Sequence, residues 1–249
     1  MPRAVWGKVG ERFYEAGVDR GMLYVGTDPG VAWTGLVSVE ESPTGAKPKP
    51  RYLDGIKFLN RQTNEEFEGN IEAYTYPDEF ARCEGSLAVG NGLFARQQRR
   101  APFGLAYRSK VGNDIDGIDH AYKINIVYDA LAEPAGHTHR TLSDSDDMFN
   151  FSWHITTKPQ IVAGVKPTAN FVIDSRETPD GLLSYIEDIL YGTDLQDPRL
   201  PSAGELAYLF MSFNSDVIDA GGPLDPAYYV YDGGSPTSTP TTILDGGTP

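Results

Sequence analysis

Hydrophobic and polar residues alternate along three long stretches of this chain, at residues 66–73, 120–130 and 149–157. A period of two places successive side chains on opposite faces of an extended chain, so each stretch predicts a half-buried β-strand. Shorter strands are predicted at 22–25, 33–39, 103–109 and 171–173. The first long stretch has an acidic polar face, formed by Glu66, Glu68, Asn70 and Glu72.

Two amphipathic helices are predicted late in the chain. Thr178 and Pro179 have the residue types of a helix start, a Leu/Ile stripe at helical spacing follows, and Gly192 is a typical helix stop. Ser202 and Glu205 have the spacing of a capping box, which predicts a second helix beginning at Ser202. Each helix is expected to pack its apolar stripe on a sheet.

Turns and loops take up much of the rest. The 27 glycines and 18 prolines together make up about 18% of the chain, whereas their average combined usage is about 12%. Residues 41–50 contain three of the prolines and are predicted to form a loop. The chain is therefore predicted to be mainly β, with an N-terminal arm (1–20), a β domain (21–211) and an extended C-terminal tail (212–249).

The tail contains a repeat of 13 residues, which places Asp219, Asp232 and Asp245 at equivalent positions. Each unit consists of an apolar pair, an Asp, a glycine-rich turn and a Pro, a composition that favours turns and disfavours helix. A segment of about 40 residues is too short to build its own core. The tail is therefore expected to be disordered by itself or to lie extended along another surface.

The overall charge limits the partners of the protein. The sequence has 35 acidic and 21 basic residues, a formal net charge of −14 at pH 7. A protein that binds DNA phosphates tightly needs a basic surface, so this chain is expected to repel DNA. The sequence contains no membrane-length apolar run and no pattern typical of a secretory signal. Its single cysteine, Cys83, cannot form an internal disulfide, and the chain needs no oxidising compartment.

Two segments resemble metal sites superficially. Residues 112–117 are similar to part of a calcium loop, but Gly112 and Lys123 occupy positions that require carboxylates, so a turn between strands is expected. A second possible ligand set comprises His137, His139, Asp144, Asp146 and Asp147. Nothing in the sequence fixes these five as ligands, and a polar loop is the favoured interpretation.

No catalytic constellation emerges from the sequence. Cys83 has no base that the sequence places beside it, which favours a small buried residue over a nucleophile. The sequence has neither a phosphate-binding loop nor a serine-nucleophile elbow. The chain is therefore expected to be no enzyme and to need no cofactor or metal.

One cluster of basic residues stands out, formed by Arg96, Arg99 and Arg100 together with two glutamines. A solvated loop is one interpretation of this cluster. A contact with an acidic neighbouring subunit is the other, because the chain as a whole carries a strong negative charge.

A set of short segments between residues 6 and 211 carries a resemblance to a known family. In the first half they are Trp6-Gly7, 10–12, 14–21, 30–36, 52–55, 65–67 and 71–80, followed by Cys83 and Gly85. In the second half they are 103–105, 107–108, 112–114, 151–153, 156–159 and 173–175. As a set they resemble the major tail protein, or tail tube protein, of long-tailed, non-contractile phages that infect actinobacteria. The repeat tail departs from the family pattern, since similar proteins end earlier or carry an immunoglobulin-like domain there.

The resemblance implies a tail-tube fold: two packed β-sheets in a sandwich or barrel, one or two flanking helices and long inter-subunit loops. It implies hexameric rings stacked into a hollow tube, with four strands of each subunit closing an inner barrel. The implied partners are further copies of the chain, the tape measure protein, and the tail terminator and distal tail proteins. The implied location is the tail of the virion, assembled in the host cytoplasm, and DNA would pass through the lumen without specific binding.

These expectations lead to named positions. Glu66, Glu68 and Glu72 are predicted to face the lumen, with an exterior solvated face as the alternative. Inter-subunit contacts are predicted for Trp6, Glu11, Arg12, Arg96, Arg99 and Arg100. Two other functions stay open at this point: another β-rich virion protein, such as a decoration or baseplate protein, and a carbohydrate-binding or carbohydrate-active β-sandwich.

Overall fold

The computed structural model describes residues 6–45, 47–61, 64–139, 141 and 149–214. Among these residues 47% are in strands and 15% in helices, which confirms the prediction of a mainly β protein with few helices. The chain divides into two units, with the boundary between Leu206 and Ala207. Within the described ranges, no helix is long and apolar enough to cross a membrane.

Fourteen strands are formed by the described residues. The first seven are β1 (Tyr14–Val25), β2 (Val31–Trp33), β3 (Leu36–Glu41), β4 (Thr44–Gly45), β5 (Lys49–Leu53), β6 (Ile56–Arg61) and β7 (Glu65–Glu66). The others are β8 (Glu68–Ala73), β9 (Leu87–Gly90), β10 (Leu93–Ala95), β11 (Phe103–Asn113), β12 (Gly117–Ala132), β13 (Phe151–Thr157) and β14 (Asn170–Asp174). Eight of them form one antiparallel sheet in the order β2-β1-β11-β12-β13-β8-β3, with β14 also paired to β12.

The large sheet curls so that its two ends face each other across the main core. Trp33 of β2 packs against Trp153 of β13, with ring centroids 5.9 Å apart, and Phe80 lies between the layers at 4.9 Å from Trp153. The hydroxyl of Tyr107 in β11 donates a 2.6 Å hydrogen bond to Glu41 at the end of β3. The two predicted packed layers are thus halves of one continuous sheet.

The middle of this sheet is buried on both faces. Residues 22–25, 103–107 and 124–128 are buried without interruption, because one face meets the main core and the other meets a helical layer. The tyrosine hydroxyls on the second face donate to main-chain oxygens of that layer, Tyr24 to Leu190 and Tyr128 to Pro201. The strand predicted at 120–130 forms, but the prediction that it is half-buried is wrong for 124–128, because both of its faces are covered there.

The helices are α1 (Ala81–Glu84), α2 (Asp180–Tyr191) and α3 (Ala203–Asn214), with a 3-10 turn at Asp78–Phe80. Five side chains of the predicted stripe in α2 are buried: Leu182, Leu183, Ile186, Ile189 and Leu190. Gly192 ends α2 with a φ of 79°, as expected of a glycine stop.

The two predicted helix caps differ in outcome. Thr178 does not cap α2: its hydroxyl donates instead to the main-chain oxygen of Asp174 at 2.8 Å. The capping box of α3 is confirmed, because Glu205 N–H donates to Ser202 Oγ at 3.1 Å and Ser202 N–H donates to a Glu205 carboxylate oxygen at 3.3 Å. Only the second cap therefore uses the side chain that the sequence indicated.

Three other predictions need correction or lie beyond the structure. The first strand begins at Tyr14, so residues 14–20 of the predicted arm belong to β1. The predicted loop at 41–50 contains β4 and the start of β5. α3 continues to Asn214, past the predicted start of the tail at 212, and the repeat aspartates Asp219, Asp232 and Asp245 lie outside the described residues.

Candidate functional site

The acidic side of β8 forms a hydrogen-bonded polar face across β3, β8 and β13. The core side of β8 consists of Gly69, Ile71 and Ala73, all buried, and the alternate positions Glu68, Asn70 and Glu72 are half-buried. This confirms the predicted alternation within β8. The face is lined by two carboxylates from one strand, flanked by short polar side chains from its two neighbours.

Both carboxylates on this face accept hydrogen bonds from residues in β3, in β4 and just before β13. Glu72 accepts from Ser38 at 3.2 Å and from Asn150 at 3.4 Å. Glu68 accepts from Thr44 at 2.9 Å, and its other oxygen lies 3.7 Å from His154 Nε2. These partners hold the carboxylates in fixed positions across the sheet surface while leaving them in contact with solvent.

Between the two carboxylates lies an uncharged pair. Asn70 donates a 2.9 Å hydrogen bond to Ser152 Oγ, and the Ser152 hydroxyl lies 3.3 Å from Asn70 Oδ1. Glu66, the third predicted lumen residue, lies outside β8: it belongs to β7, which pairs with β4, and its side chain is exposed. The structure therefore brings Glu68 and Glu72 together on one face and places Glu66 beyond the end of that strand.

Two hairpins expose apolar side chains to solvent. We name residues 47–61 the basic hairpin, built from β5 and β6, and residues 87–95 the short hairpin, built from β9 and β10. All residues of β5, β6 and β9 are exposed. The large apolar side chains exposed on them are Tyr52, Leu53, Ile56, Phe58, Leu59, Leu87, Val89, Leu93 and Phe94.

Both hairpins have turn sequences that are typical of short β-hairpin loops. The tip of the basic hairpin is Asp54-Gly55, with φ of 50° and 77°, the left-handed conformation that two-residue hairpin turns require. Asn91-Gly92 stands at the tip of the short hairpin. Asp-Gly and Asn-Gly between strand-forming residues are strong hairpin signals, so these turns could have been predicted.

The N-terminal arm packs on the β11–β12 turn of the same chain. Gly10 N–H donates to Asp114 at 2.8 Å, and the Arg12 guanidinium lies 4.0 Å from the same carboxylate. Glu11 forms an exposed ion pair with Lys8, and Trp6 is 85% exposed. Among the three arm residues predicted to contact other subunits, Trp6 thus presents the largest free apolar surface.

The predicted basic cluster lies just after the short hairpin. Arg96 and Arg99 are exposed, and Arg100 is half-buried with its stem over Gly85, where a Cβ would approach Arg100 Cγ to 3.4 Å. The first two guanidinium groups are therefore accessible to solvent, and the Arg100 side chain packs against its own chain.

The superficial metal sites have other roles in the structure. His137 contacts Glu84 of α1 and packs beside Phe151, and His139 packs beside Phe149. Asp144, Asp146 and Asp147 lie outside the described residues. No group of three or more potential metal ligands occurs in the part of the chain that the structure describes.

The segment 112–117 is confirmed as a turn between strands. Asn113 Oδ1 accepts hydrogen bonds from the main-chain N–H groups of Ile115 and Asp116, and the Asp116 carboxylate lies 2.9 Å from His120 Nδ1. The Asp116 carboxylate has a lowered pKa because of its hydrogen bond with His120. Cys83 is confirmed as a buried residue of the core, and burial raises the pKa of its thiol to about 12.

Comparisons with known proteins give distant structural neighbours. No protein-family model and no curated protein matches the chain. A chain of the anti-feeding prophage baseplate has a TM-score of 0.37 at 9% identity, over 68% of this chain and 97% of that one. A chain of the anti-feeding prophage tube-terminating cap has a TM-score of 0.33 at 9% identity, over 70% and 97%.

A third neighbour is a chain of the sheath–tube complex of an extracellular contractile injection system in the extended state. Its TM-score is 0.31 at 10% identity, over 62% of this chain and 88% of that one. The neighbours thus come from a baseplate, a tube-terminating cap and a sheath–tube complex. With TM-scores below 0.5, these similarities do not define the function of this chain.

Proposed function

We propose that this chain is the tube subunit of a phage tail of the non-contractile type. Its copies form hexameric rings that stack into a hollow tube, and the polar face of β3, β8 and β13 lines the lumen. The observation that carries the proposal is this uncovered acidic face, whose opposite side is the main core. The resemblance of the sequence to major tail proteins supports the same assignment.

The charge of this face suits a channel for DNA. Glu68 and Glu72 are held in place by hydrogen bonds, and a phosphate chain passing over fixed carboxylates is repelled rather than retained. Glu66 is proposed to lie at the entrance of the same surface, because it precedes β8 by two residues. DNA therefore moves through the lumen without a specific binding site.

The edges of the sheet support closure into a ring. β3 pairs only with β8 among the described strands, so its other edge carries main-chain groups without strand partners. Such an edge invites pairing with another chain, and closing six subunits into a ring removes it. The subunit is proposed to be a structural, non-enzymatic component of the virion that is assembled in the host cytoplasm.

Negative-stain electron microscopy of the purified chain tests the proposal. Hexameric rings or tubes with a central channel are the expected result, with the tape measure, terminator and distal tail proteins as partners in the complete tail. A monomer that binds oligosaccharides through an aromatic surface would contradict it and favour a carbohydrate-binding β-sandwich. Isolated trimers or hexamers that never stack would favour a decoration or baseplate protein.

A further inference from the structure

The basic hairpin continues the edge of the main sheet as a projecting ribbon. The strand pairing keeps one register from the end of β3 into the start of the hairpin: Glu41 faces Gly69, Gly45 faces Glu65 in the β4–β7 ladder, and Lys49 faces Arg61 in the β5–β6 ladder. The register shifts by one residue only within the hairpin, between Arg51 and Tyr52. Every residue of β5 and β6 is exposed. The hairpin therefore projects from the layers that form the core.

The charge of the basic hairpin is opposite to that of the rest of the chain. It contains Lys47, Lys49, Arg51, Lys57 and Arg61 against the single acid Asp54, a net charge of +4. The remaining 16 basic and 34 acidic residues give the rest of the sequence a net charge of −18. Such a concentration of positive charge on one element indicates a negatively charged partner.

The cations of the hairpin are not neutralised within the described part of the subunit. None of the five forms an ion pair there, although ion pairs occur at eleven other places in the described chain. Lys49 stands directly opposite Arg61 in the antiparallel ladder. Like charges at directly opposed positions destabilise a two-stranded ladder, so the hairpin is stabilised when acidic groups lie against it.

Apolar side chains are interleaved with these cations. Ile56 and Phe58 are 72% and 73% exposed, and Tyr52, Leu53 and Leu59 are exposed as well. An isolated two-stranded hairpin is marginally stable in water, and a contiguous apolar patch on a monomer marks an interaction surface. The partner surface must therefore be acidic and must also offer apolar contacts, which favours a folded protein over a nucleic acid.

We propose that the basic hairpin of one copy docks on the acidic surface of a second copy, and that this charge pairing drives self-assembly. The second copy fits because its sequence outside the hairpin has the complementary net charge of −18. This docking rests on the proposed function, because it requires that copies of the chain assemble. It additionally identifies the basic hairpin as the contacting element and its positive charge as the property that recognises the neighbouring copy.

Charge reversal on the full-length chain tests the docking. The variant Lys49→Glu/Lys57→Glu is compared with the matched control Lys158→Glu/Lys166→Glu, which changes two exposed lysines away from the hairpin by the same total charge. Assembly is followed by sedimentation and negative-stain microscopy over a range of protein concentration at about 0.1 M NaCl. The hairpin variant is expected to need at least roughly tenfold more protein to assemble, and the control to stay within about twofold of the unmodified chain.

Salt provides an independent measurement. Raising NaCl from about 0.1 M to about 1 M shortens the Debye length from ~10 Å to ~3 Å, so assembly of the unmodified chain should weaken while the hairpin variant changes little. Equal assembly of the hairpin variant and the unmodified chain would overturn the inference, and so would equal loss in both double variants. Retention of duplex DNA that depends on Lys49 and Lys57, with assembly unchanged, would overturn it in favour of nucleic acid.

The failure of this inference differs from that of the proposed function. If the unmodified chain assembles into particles other than tubes and the hairpin variant does not assemble, the docking is supported and the tube function is contradicted. If tubes form from the hairpin variant as readily as from the unmodified chain, the tube function stands and the docking is wrong. A chain that stays monomeric at every concentration contradicts both.

Discussion

Arg108 donates two hydrogen bonds to the carboxylate of Asp19, at 2.7 Å from Nε and 2.8 Å from Nη2, and so joins β11 to β1. The pair lies beside the irregular step in the β1–β11 register that follows Asp19, and the Arg108 guanidinium also stacks over the Tyr122 ring at 4.6 Å. A bidentate pair of this kind fixes strand register by geometry as well as by charge.

Removing the charge of Asp19 should destabilise the fold in a pH-dependent way. The hydrogen bond from Arg108 holds the Asp19 pKa below its usual value of 3.8. Because the folded-state pKa is the lower one, the stabilisation is fully present well above pH 3.8 and is lost as the pH falls through the folded-state value. We expect Asp19→Asn to lower the free energy of unfolding by about 1–2 kcal/mol at pH 7.

Urea denaturation at pH 7 and at about pH 3 measures the Asp19 effect, and the difference between variant and unmodified chain should shrink at the lower pH. Asp54→Asn, at the exposed tip of the basic hairpin, is the control and should have little effect at either pH. An equal loss of stability at both pH values would show that the charge of Asp19 is not responsible.

The thiol of Cys83 should be nearly inert in the folded chain. It is fully buried, and burial raises its pKa to about 12. At pH 8 its thiolate fraction is then roughly a thousandfold below that of an exposed cysteine, and only the thiolate reacts with a disulfide reagent. Labelling should be slow in buffer and fast in denaturant, and rapid labelling of the native chain would contradict the buried position.

Substitutions of two phenylalanines should distinguish effects on assembly from effects on folding stability. Phe58 on the basic hairpin is 73% exposed, whereas Phe80 is fully buried in the aromatic core. Phe58→Ser is expected to change the free energy of unfolding of the monomer by less than about 0.5 kcal/mol while impairing assembly. Phe80→Ala should cost about 3–5 kcal/mol. Normal assembly of Phe58→Ser would show that the hairpin surface is not an interface.

Reversing charge on the proposed lumen face should trap DNA. Tubes of Glu68→Lys/Glu72→Lys are expected to retain DNA and to release it with increasing salt, because each lysine that binds a phosphate displaces a counterion. Glu177→Lys/Asp188→Lys changes two exposed acids elsewhere and is the matched control. Fluorescently labelled DNA measures the retention. Equal retention by both variants would place Glu68 and Glu72 outside the channel.

Deleting residues 2–12 should weaken assembly more than folding. The described arm contacts its own subunit chiefly through the 2.8 Å hydrogen bond from Gly10 N–H to Asp114, and Trp6 presents its ring to solvent. The deletion is expected to shorten tubes or lower their stability with little change in monomer unfolding. Asp114→Ala, which removes the anchor and keeps Trp6, is the control. Tubes of unchanged length and stability after the deletion would show that the arm makes no inter-subunit contact.

The strands that are half-buried were predictable from the sequence. β8 and β13 each have one core face and one polar face. Because successive side chains of a strand point to opposite faces, apolar and polar residues alternate at 68–73 and 151–157. The capping box of α3 was predictable for a similar reason, because Ser202 and Glu205 satisfy backbone groups only three residues away. Both features depend on residues that are close together in the sequence.

For elements with two equivalent faces, alternation did not predict the burial, although the sequence did predict a strand at 103–109. Residues 103–107 are buried on both sides, and the hairpin strands β5 and β6 are exposed on both sides, so neither alternates as a half-buried strand does. In β12 the left-handed backbone of Asp129, with a φ of 51°, interrupts the regular alternation, and Ala130 and Ala132 lie in the core beyond it. The residue type at position 129 does not by itself predict this left-handed backbone conformation.

Residue type and spacing alone specify the mainly β character, the acidic face of β8 and the positive charge of residues 47–61. The curling of the sheet, the contact of Asp19 with Arg108 and the contact of His137 with Glu84 arise only in the folded chain. Those contacts join residues far apart in the chain, and they form because packing a continuous sheet around one aromatic core brings its ends together.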